Sequence, residues 1–271
     1  MQSKRIGEGR TAEVCEYGDG AVLKLYRDDI PVEHVDREYK ISSYAHTQGV
    51  HTPRPLQLVT VEARKGIVFE RITGKTLLKQ IAGKPWQTGC YARQLAGLHY
   101  SLHQRQGPDE EGQQKKQLRQ QIIAAPMLTV EEKSAVLDQL ARLPEGNRLC
   151  HGDFHPDNVL GEGEGWIIDW MTGTTGSPAA DMARSVILLS MGSMPPGTPL
   201  FTGLVTSFIR QRLAKAYIRE YLQLSGQPYA DINAWVLPVA AARLIEGIPL
   251  AEKEQLAREV RRRLRSSGFH T

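Results

Sequence analysis

The hydrophobic pattern of this chain changes period near Thr73-Gly74, and that change limits the folds open to it. Before it, apolar residues alternate, as in Ala21-Val22-Leu23-Lys24-Leu25-Tyr26, which predicts strands with one buried face. After Lys75 they recur at three- and four-residue spacing, as at Leu95, Leu98 and Leu102, which predicts helices. Such patterning implies an α+β protein in two lobes. Residues 1–73 would form a small β-rich lobe and residues 74–271 a larger, mainly helical one. No internal repeat offers another architecture.

Within the first lobe, Tyr17-Gly18-Asp19-Gly20 has hairpin-turn chemistry and joins two predicted strands. Pro31 is placed to open a helix at its first position. On that helix Val35, Glu38, Ile41, Ser42 and Ala45 share one face, and Glu33, Arg37, Lys40 and Tyr44 share the other. Glu38 therefore sits among apolar residues, where an unpaired carboxylate is costly. Lys24, on the preceding strand, answers that need; Glu33 is the weaker partner because Arg37 and Lys40 share its solvent face. Further strands are predicted at 56–62 and 66–71.

In the second lobe a helix is expected over Tyr91–Gln104, with His99 and His103 four residues apart. Because Leu95 and Leu102 lie on the same face, packed or hydrogen-bonded histidines are favoured there over a metal pair. Residues 104–121 read as an exposed loop passing into a helix. Thr129-Val130-Glu131-Glu132 is a capping-box sequence opening a helix that ends near Leu143-Pro144. Asp181 to Phe269 reads as helical, with breaks at Met194–Pro199 and Ser225–Pro228.

The densest chemistry lies in His151-Gly152-Asp153-Phe154-His155-Pro156-Asp157-Asn158-Val159-Leu160. Asp153 and Asn158 stand five residues apart, and Asp169 follows the short apolar strand Trp166-Ile167-Ile168 after a Gly161–Gly165 turn. One carboxylate can orient a hydroxyl while Asn158 and Asp169 hold a divalent cation; hard oxygen donors select magnesium or manganese over zinc. His151 and His155 alternate with Asp153 but lack the paired ligands a zinc site needs. Read alone, Gly7-Glu8-Gly9-Arg10-Thr11-Ala12 is either a phosphate-covering hairpin or an ordinary turn.

Taken together, these motifs resemble the aminoglycoside phosphotransferase-like family of the protein kinase-like fold. The resemblance runs through Gly7–Thr11, Lys24, Glu38, Phe69–Gly74, Leu95–His103, the 151–160 loop, Ile168-Asp169-Trp170 and Pro178–Ala183. It implies a kinase that transfers the γ-phosphoryl group of ATP to a small-molecule hydroxyl, with Mg2+ on Asn158 and Asp169. Asp153 would be the catalytic base. Lys24, steadied by Glu38, would meet the nucleotide phosphates beneath Gly7, Gly9 and Thr11. The main chain at Glu70 and Ile72 would bind adenine, with Phe69 behind it. His151 would shape the loop and Asp181 brace it. The chain departs from the pattern at Ala12, where protein kinases carry a third glycine, and at Met171, where many relatives carry an acid.

Two other readings stay open: a protein kinase, and an inactive nucleotide-binding module of the same fold. Only eleven residues separate Asp169 from Asp181, which is short for a regulated activation loop. None of Lys24, Asp153, Asn158 and Asp169 has been lost, as an inactive module would allow.

Hydrophobic residues at 41% and charged residues at 24% are ordinary for a globular protein, and no apolar run is long enough to span a membrane. Three scattered cysteines fit reduced thiols, so a cytoplasmic setting is expected. A net charge of +4 is small for a nucleic-acid binder, and the Arg258–Arg265 cluster reads as a solvated helix face. Between Arg210 and Arg265 eleven bases stand against six acids, which leans away from polycationic acceptors such as aminoglycosides. The expected partner is a small hydroxyl acceptor of unknown identity, and the oligomeric state is open.

Overall fold

The computed structural model describes residues 4–108, 113–191 and 200–266, with the backbone alone for 200–202. They form two compact units, Met1–Gln80 with Pro156–Gly173, and Ile81–His155 with Thr174–Thr271.

In the first unit, strands β1 (Arg5–Glu8), β2 (Ala12–Glu16) and β3 (Ala21–Tyr26) precede helix α1 (Val32–Thr47), and β4 (Pro55–Val61) and β5 (Arg64–Glu70) follow it. The sheet order is β1-β2-β3-β5-β4, antiparallel throughout. Gly18 and Gly20 turn the β2–β3 hairpin at φ +60° and +75°, in the left-handed region that favours glycine. Alternation on β3 buries Ala21 and Leu23 with Val68 on one face of the sheet and puts Tyr26 on the other, with Val35 of α1. The buried residues of α1 are Val35, Glu38, Ile41, Ser42 and Ala45, the face that helical spacing groups together. Pro31 lies one place outside this helix, at its N-cap with ψ 140°, rather than at the first helical position.

Packing does not follow the 73/74 division of the sequence. Gly74, at φ +133°, lies so close to Gly161 that a Cβ there would come within 2.8 Å of the Gly161 Cα. The Gln80 amide donates to the Gly161 carbonyl at 2.8 Å, and Thr76 bridges Leu160. The antiparallel hairpin of β7 (Val159–Leu160) and β8 (Trp166–Ile167) thereby packs with the first unit; β6 (Arg148–Cys150) belongs to the second.

Helix α2 (Leu77–Gly83) leads into the second unit, which contains α3 (Thr88–His103), α4 (Gln113–Ala124), α5 (Val130–Arg142), the β6–β9 ribbon with β9 at Thr174–Gly176, and α6 (Pro178–Met191). After it come α7 (Leu200–Ser225), α8 (Tyr229–Ala242) and α9 (Leu250–Ser266). The capping box is present at α5: the Thr129 hydroxyl accepts from the Glu132 N–H, and the Glu132 carboxylate accepts from the Thr129 N–H. Gly226, at φ +68°, closes α7, so the break at Ser225–Pro228 falls between two helices; the one expected at Met194–Pro199 lies outside the described residues.

The glutamine-rich stretch passes into α4, on which Gln114, Leu118 and Ile122 are buried, and the Gln114 Oε1 accepts the Ser177 N–H at 2.9 Å. A Cβ at Gly176 would fall 2.4 Å from the Gln114 amide, so the bare backbone makes that room. One expectation needs correction: the α9 arginine cluster is not uniformly solvated. Arg258 and Arg262 are exposed, but Arg261 donates to Glu132 and to the Met127 carbonyl, and Arg263 to Asn233. No described helix is long and apolar enough to cross a membrane.

Candidate active site

In the first unit, Lys24 points from β3 toward α1. Its Nζ lies 2.6 Å from the Glu38 Oε1 and 2.7 Å from the Asp169 Oδ1. The Tyr26 hydroxyl, two residues along the strand and so on the same face, donates to the other Glu38 oxygen at 2.7 Å. Both oxygens of a buried carboxylate are thus satisfied, whereas Glu33 is exposed. Burial by itself would lower the Lys24 pKa, but Asp169 and Glu38 outweigh it and push it up, so the ammonium stays charged.

Asp169 follows β8 with φ +68°, an uncommon conformation for a non-glycine residue. Asn158 closes the short turn Pro156–Asn158 just before β7. The Ile168 N–H donates to the Asn158 carbonyl at 3.0 Å, so the β7–β8 hairpin brings both residues to its one end. Asn158 is buried, while the Asp169 side chain is 39% exposed. Amide and carboxylate oxygens are the donor type magnesium takes. Trp170 packs instead, its indole N–H donating to the Thr52 hydroxyl at 2.9 Å. Met171 is partly buried and packs against the cluster of Ala12, Tyr26, Val35 and Ile67.

The glycine turn joins β1 to β2, and the Gly9 N–H donates to the Ala12 carbonyl at 2.8 Å. Arg27 holds its carbonyls: its N–H donates to Thr11, and its guanidinium to Arg10, Gly9 and the Glu8 carboxylate. A Cβ on Gly7 would meet nothing nearer than 3.6 Å and one on Gly9 nothing nearer than 3.7 Å, so the fold itself leaves room for side chains there. At the other end of the sheet, Glu70 exchanges hydrogen bonds with Arg54 through its N–H and its carboxylate. Ile72 lies just past β5, and among the described residues its main-chain N–H and C=O have no protein partner.

The second unit holds Asp153. Asp181, in the first turn of α6, accepts the His151 N–H at 2.6 Å and the Gly152 N–H at 2.8 Å. Its Oδ2 also lies 3.1 Å from the His99 Nε2 and 3.2 Å from the His103 Nε2. Burial alone would raise this carboxyl's pKa; the His103 and His99 hydrogen bonds outweigh burial and hold it well down. Burial, reinforced by His103, pushes His99 down to about 3, so at neutral pH its Nε2–H donates to Asp181 while Nδ1 faces the Tyr217 hydroxyl. His103 repeats the arrangement with Tyr221. The three side chains converge as a metal triad would, yet hydrogen bonds account for every ring nitrogen.

With its loop held, Asp153 projects a carboxylate that is 20% exposed. Its Oδ1 accepts from an Arg184 amino group at 3.2 Å and its Oδ2 lies 3.4 Å from the His155 Nε2. Burial would raise its pKa, but the His155 hydrogen bond and the Arg184 charge overcome that and keep it ionised. Phe154 anchors the loop by stacking on His99, ring centroids 4.1 Å apart. Sequence reading missed Arg184 and Tyr26; the signal available was spacing, three residues after Asp181 on a helix and two after Lys24 on a strand.

A five-stranded antiparallel sheet unit and a mainly helical unit with these loops define the two-lobed protein kinase-like fold, and solved structures of that fold align over most of the chain. An aminoglycoside-3'-phosphotransferase of type VIII covers 88% of this chain and 91% of its own, with TM-score 0.62 and 18% identity. APH(2'')-IIa in a ternary complex with streptomycin and ATP covers 97% and 91%, with TM-score 0.59 and 14% identity. Macrolide 2'-phosphotransferase MphH from Brachybacterium faecium covers 96% and 91%, with TM-score 0.54 and 18% identity. No curated protein matches the chain. The phosphotransferase enzyme family model matches residues 3–235, and the chain belongs to that family.

Proposed function

We propose that this phosphotransferase is an ATP-dependent kinase that moves the γ-phosphoryl group of ATP to a hydroxyl of a small molecule. One observation carries the reading: a single ammonium, Lys24, is held on one side by buried Glu38 and on the other by Asp169. A lysine so placed is a charged phosphate ligand whose position is set before nucleotide arrives. The bare main chain of Gly7 and Gly9 and the neighbouring Thr11 suit close approach of phosphate oxygens. The main-chain N–H and C=O of Ile72, with the Glu70 carbonyl, suit the donor and acceptor edge of adenine.

Asn158 and Asp169 would hold Mg2+. The cation would neutralise charge on the phosphate oxygens during transfer. Asp153, ionised and partly exposed, would accept the hydrogen bond of the acceptor's hydroxyl and take its proton as the new P–O bond forms. Arg27 would steady the glycine turn by occupying its carbonyls.

Relatives of the fold act on aminoglycosides and macrolides by name, and one was captured with streptomycin and ATP. For this chain the excess of bases between Arg210 and Arg265 favours a neutral or anionic acceptor, such as a sugar, nucleoside or metabolite alcohol, over a polycation. The test is ADP release from Mg·ATP across a panel of metabolite alcohols, aminoglycosides and macrolides. At least one acceptor should stimulate release, and Asp153→Ala should abolish the stimulation. Undiminished turnover in that variant would overturn the reading.

A further inference from the structure

Helix α6 grips the 151–153 loop twice, with side chains one turn apart. Asp181 takes the main chain of His151 and Gly152, and Arg184 takes the side chain of Asp153. We propose that Arg184 is a positioning residue for Asp153, fixing the direction in which that carboxylate faces an acceptor. The inference rests on reading Asp153 as the base.

Arg184 reaches Asp153 with one amino group and the Glu246 carboxylate with the other. Glu246 is itself set by Arg243, whose Nε lies 3.4 Å away, and Arg243 pairs with Glu252 on α9 at 2.8 Å. A chain of alternating charges therefore runs from α9 to the loop and ends on the one aspartate proposed to do chemistry. The Arg184 side chain is only 16% exposed, and its Nε has no acceptor among the described residues. Among the described residues, the Asp153 and Glu246 carboxylates are what orient the guanidinium. A planar fork can hold both at once, each on its own nitrogen, whereas a lysine offers a single nitrogen. Arg184, His155, His151 and, one step further along the chain of charges, Arg243 all act electrostatically on Asp153.

The experiment compares wild type with Arg184→Met, Arg184→Lys and Glu246→Gln. Asp153 is followed at neutral pH by the 13C-carboxylate shift of aspartate-labelled protein, with Asp153→Asn identifying its resonance. Turnover is followed as ADP release from Mg·ATP. In Arg184→Met the Asp153 resonance should move and broaden while other aspartate resonances keep their places. Its ADP release should fall about tenfold, with the KM for ATP changed less than about twofold. Arg184→Lys should restore part of the shift but not the turnover, and Glu246→Gln should lower turnover less than Arg184→Met. If Arg184→Met lowers only the melting temperature and leaves the Asp153 resonance and turnover at wild-type values, the inference falls. Absence of ADP release from wild type with every acceptor would sink the kinase reading. The carboxylate shift then decides alone whether Arg184 governs Asp153.

Discussion

Lys24 and Arg184 each stand between two carboxylates, one in the sheet unit and one in the helical unit, yet they are held differently. Lys24 meets Glu38 and Asp169 through one nitrogen, at 2.6 and 2.7 Å. Arg184 meets Asp153 and Glu246 through two. An ammonium is a compact charge on a flexible stem, and it can share a further anion without losing its place. A guanidinium fork fixes direction. The first arrangement suits a ligand that arrives with its own negative charge. The second suits a carboxylate that must point one way.

The largest effect should come from the residue at the end of the second cluster: Asp153→Ala should lower acceptor-stimulated ADP release by about a thousandfold, in the range lost with a general base. Next is Lys24→Met, which leaves Glu38 buried without its cation. Breaking such a pair costs about 3–5 kcal/mol, read as a lower urea midpoint, and the KM for ATP should rise with it. A smaller fall in stability, or an unchanged KM, would remove the contrast drawn between the clusters.

Acid and alkali should then separate the two units. His99 titrates at about 3 in the fold against roughly 6.5 in an unfolded chain. Its contribution is complete above the unfolded value and is lost as pH falls toward the folded one. Asp181, also held low, adds to the loss at more acid pH. Stability of the helical unit should therefore fall below pH 6.5, by at most about 1.4 kcal/mol per pH unit from this histidine. In His99→Gln the dependence should flatten. Lys24 works in the opposite sense: its raised pKa gives a contribution complete below the unfolded value of about 10.4 and lost only as pH rises beyond it. Urea titrations at acid, neutral and alkaline pH, reporting Trp170 and Trp235 separately, would test this division. The smallest effect serves as a control: Thr129→Ala, in the α5 capping box, should cost about 1 kcal/mol and leave ADP release unchanged.

Much of this was legible in the sequence where a local rule applied. Helical spacing alone put Glu38 on the buried face of α1 and made Lys24 its natural partner, because a buried carboxylate must find a cation. The turn glycines, the α5 capping box and the oxygen-bearing 153–169 stretch were equally local. What escaped depended on elements distant in the chain. Arg184 looked like one more helix residue until α6 and the segment after α8 brought Asp153 and Glu246 to it. Arg261 and Arg263 looked solvated until α5 and α8 supplied Glu132 and Asn233. The helix carrying Gln114 was foreseen, but its place against Ser177 and the bare Gly176 came only with packing.

The sequence by itself determined the change of period at Thr73-Gly74, the buried carboxylate on α1 and the order Asp153, Asn158, Asp169, since periodicity and ligand chemistry act over a few residues. Tertiary structure alone decided that Lys24 is shared with Asp169, 145 residues away, and that the β7–β8 hairpin packs with the sheet unit. It alone decided, too, that His99 and His103 brace a loop through Asp181. Hydrogen bonds and ion pairs act only over a few ångströms, so which charges meet depends on how the chain packs and cannot be read from their spacing along it.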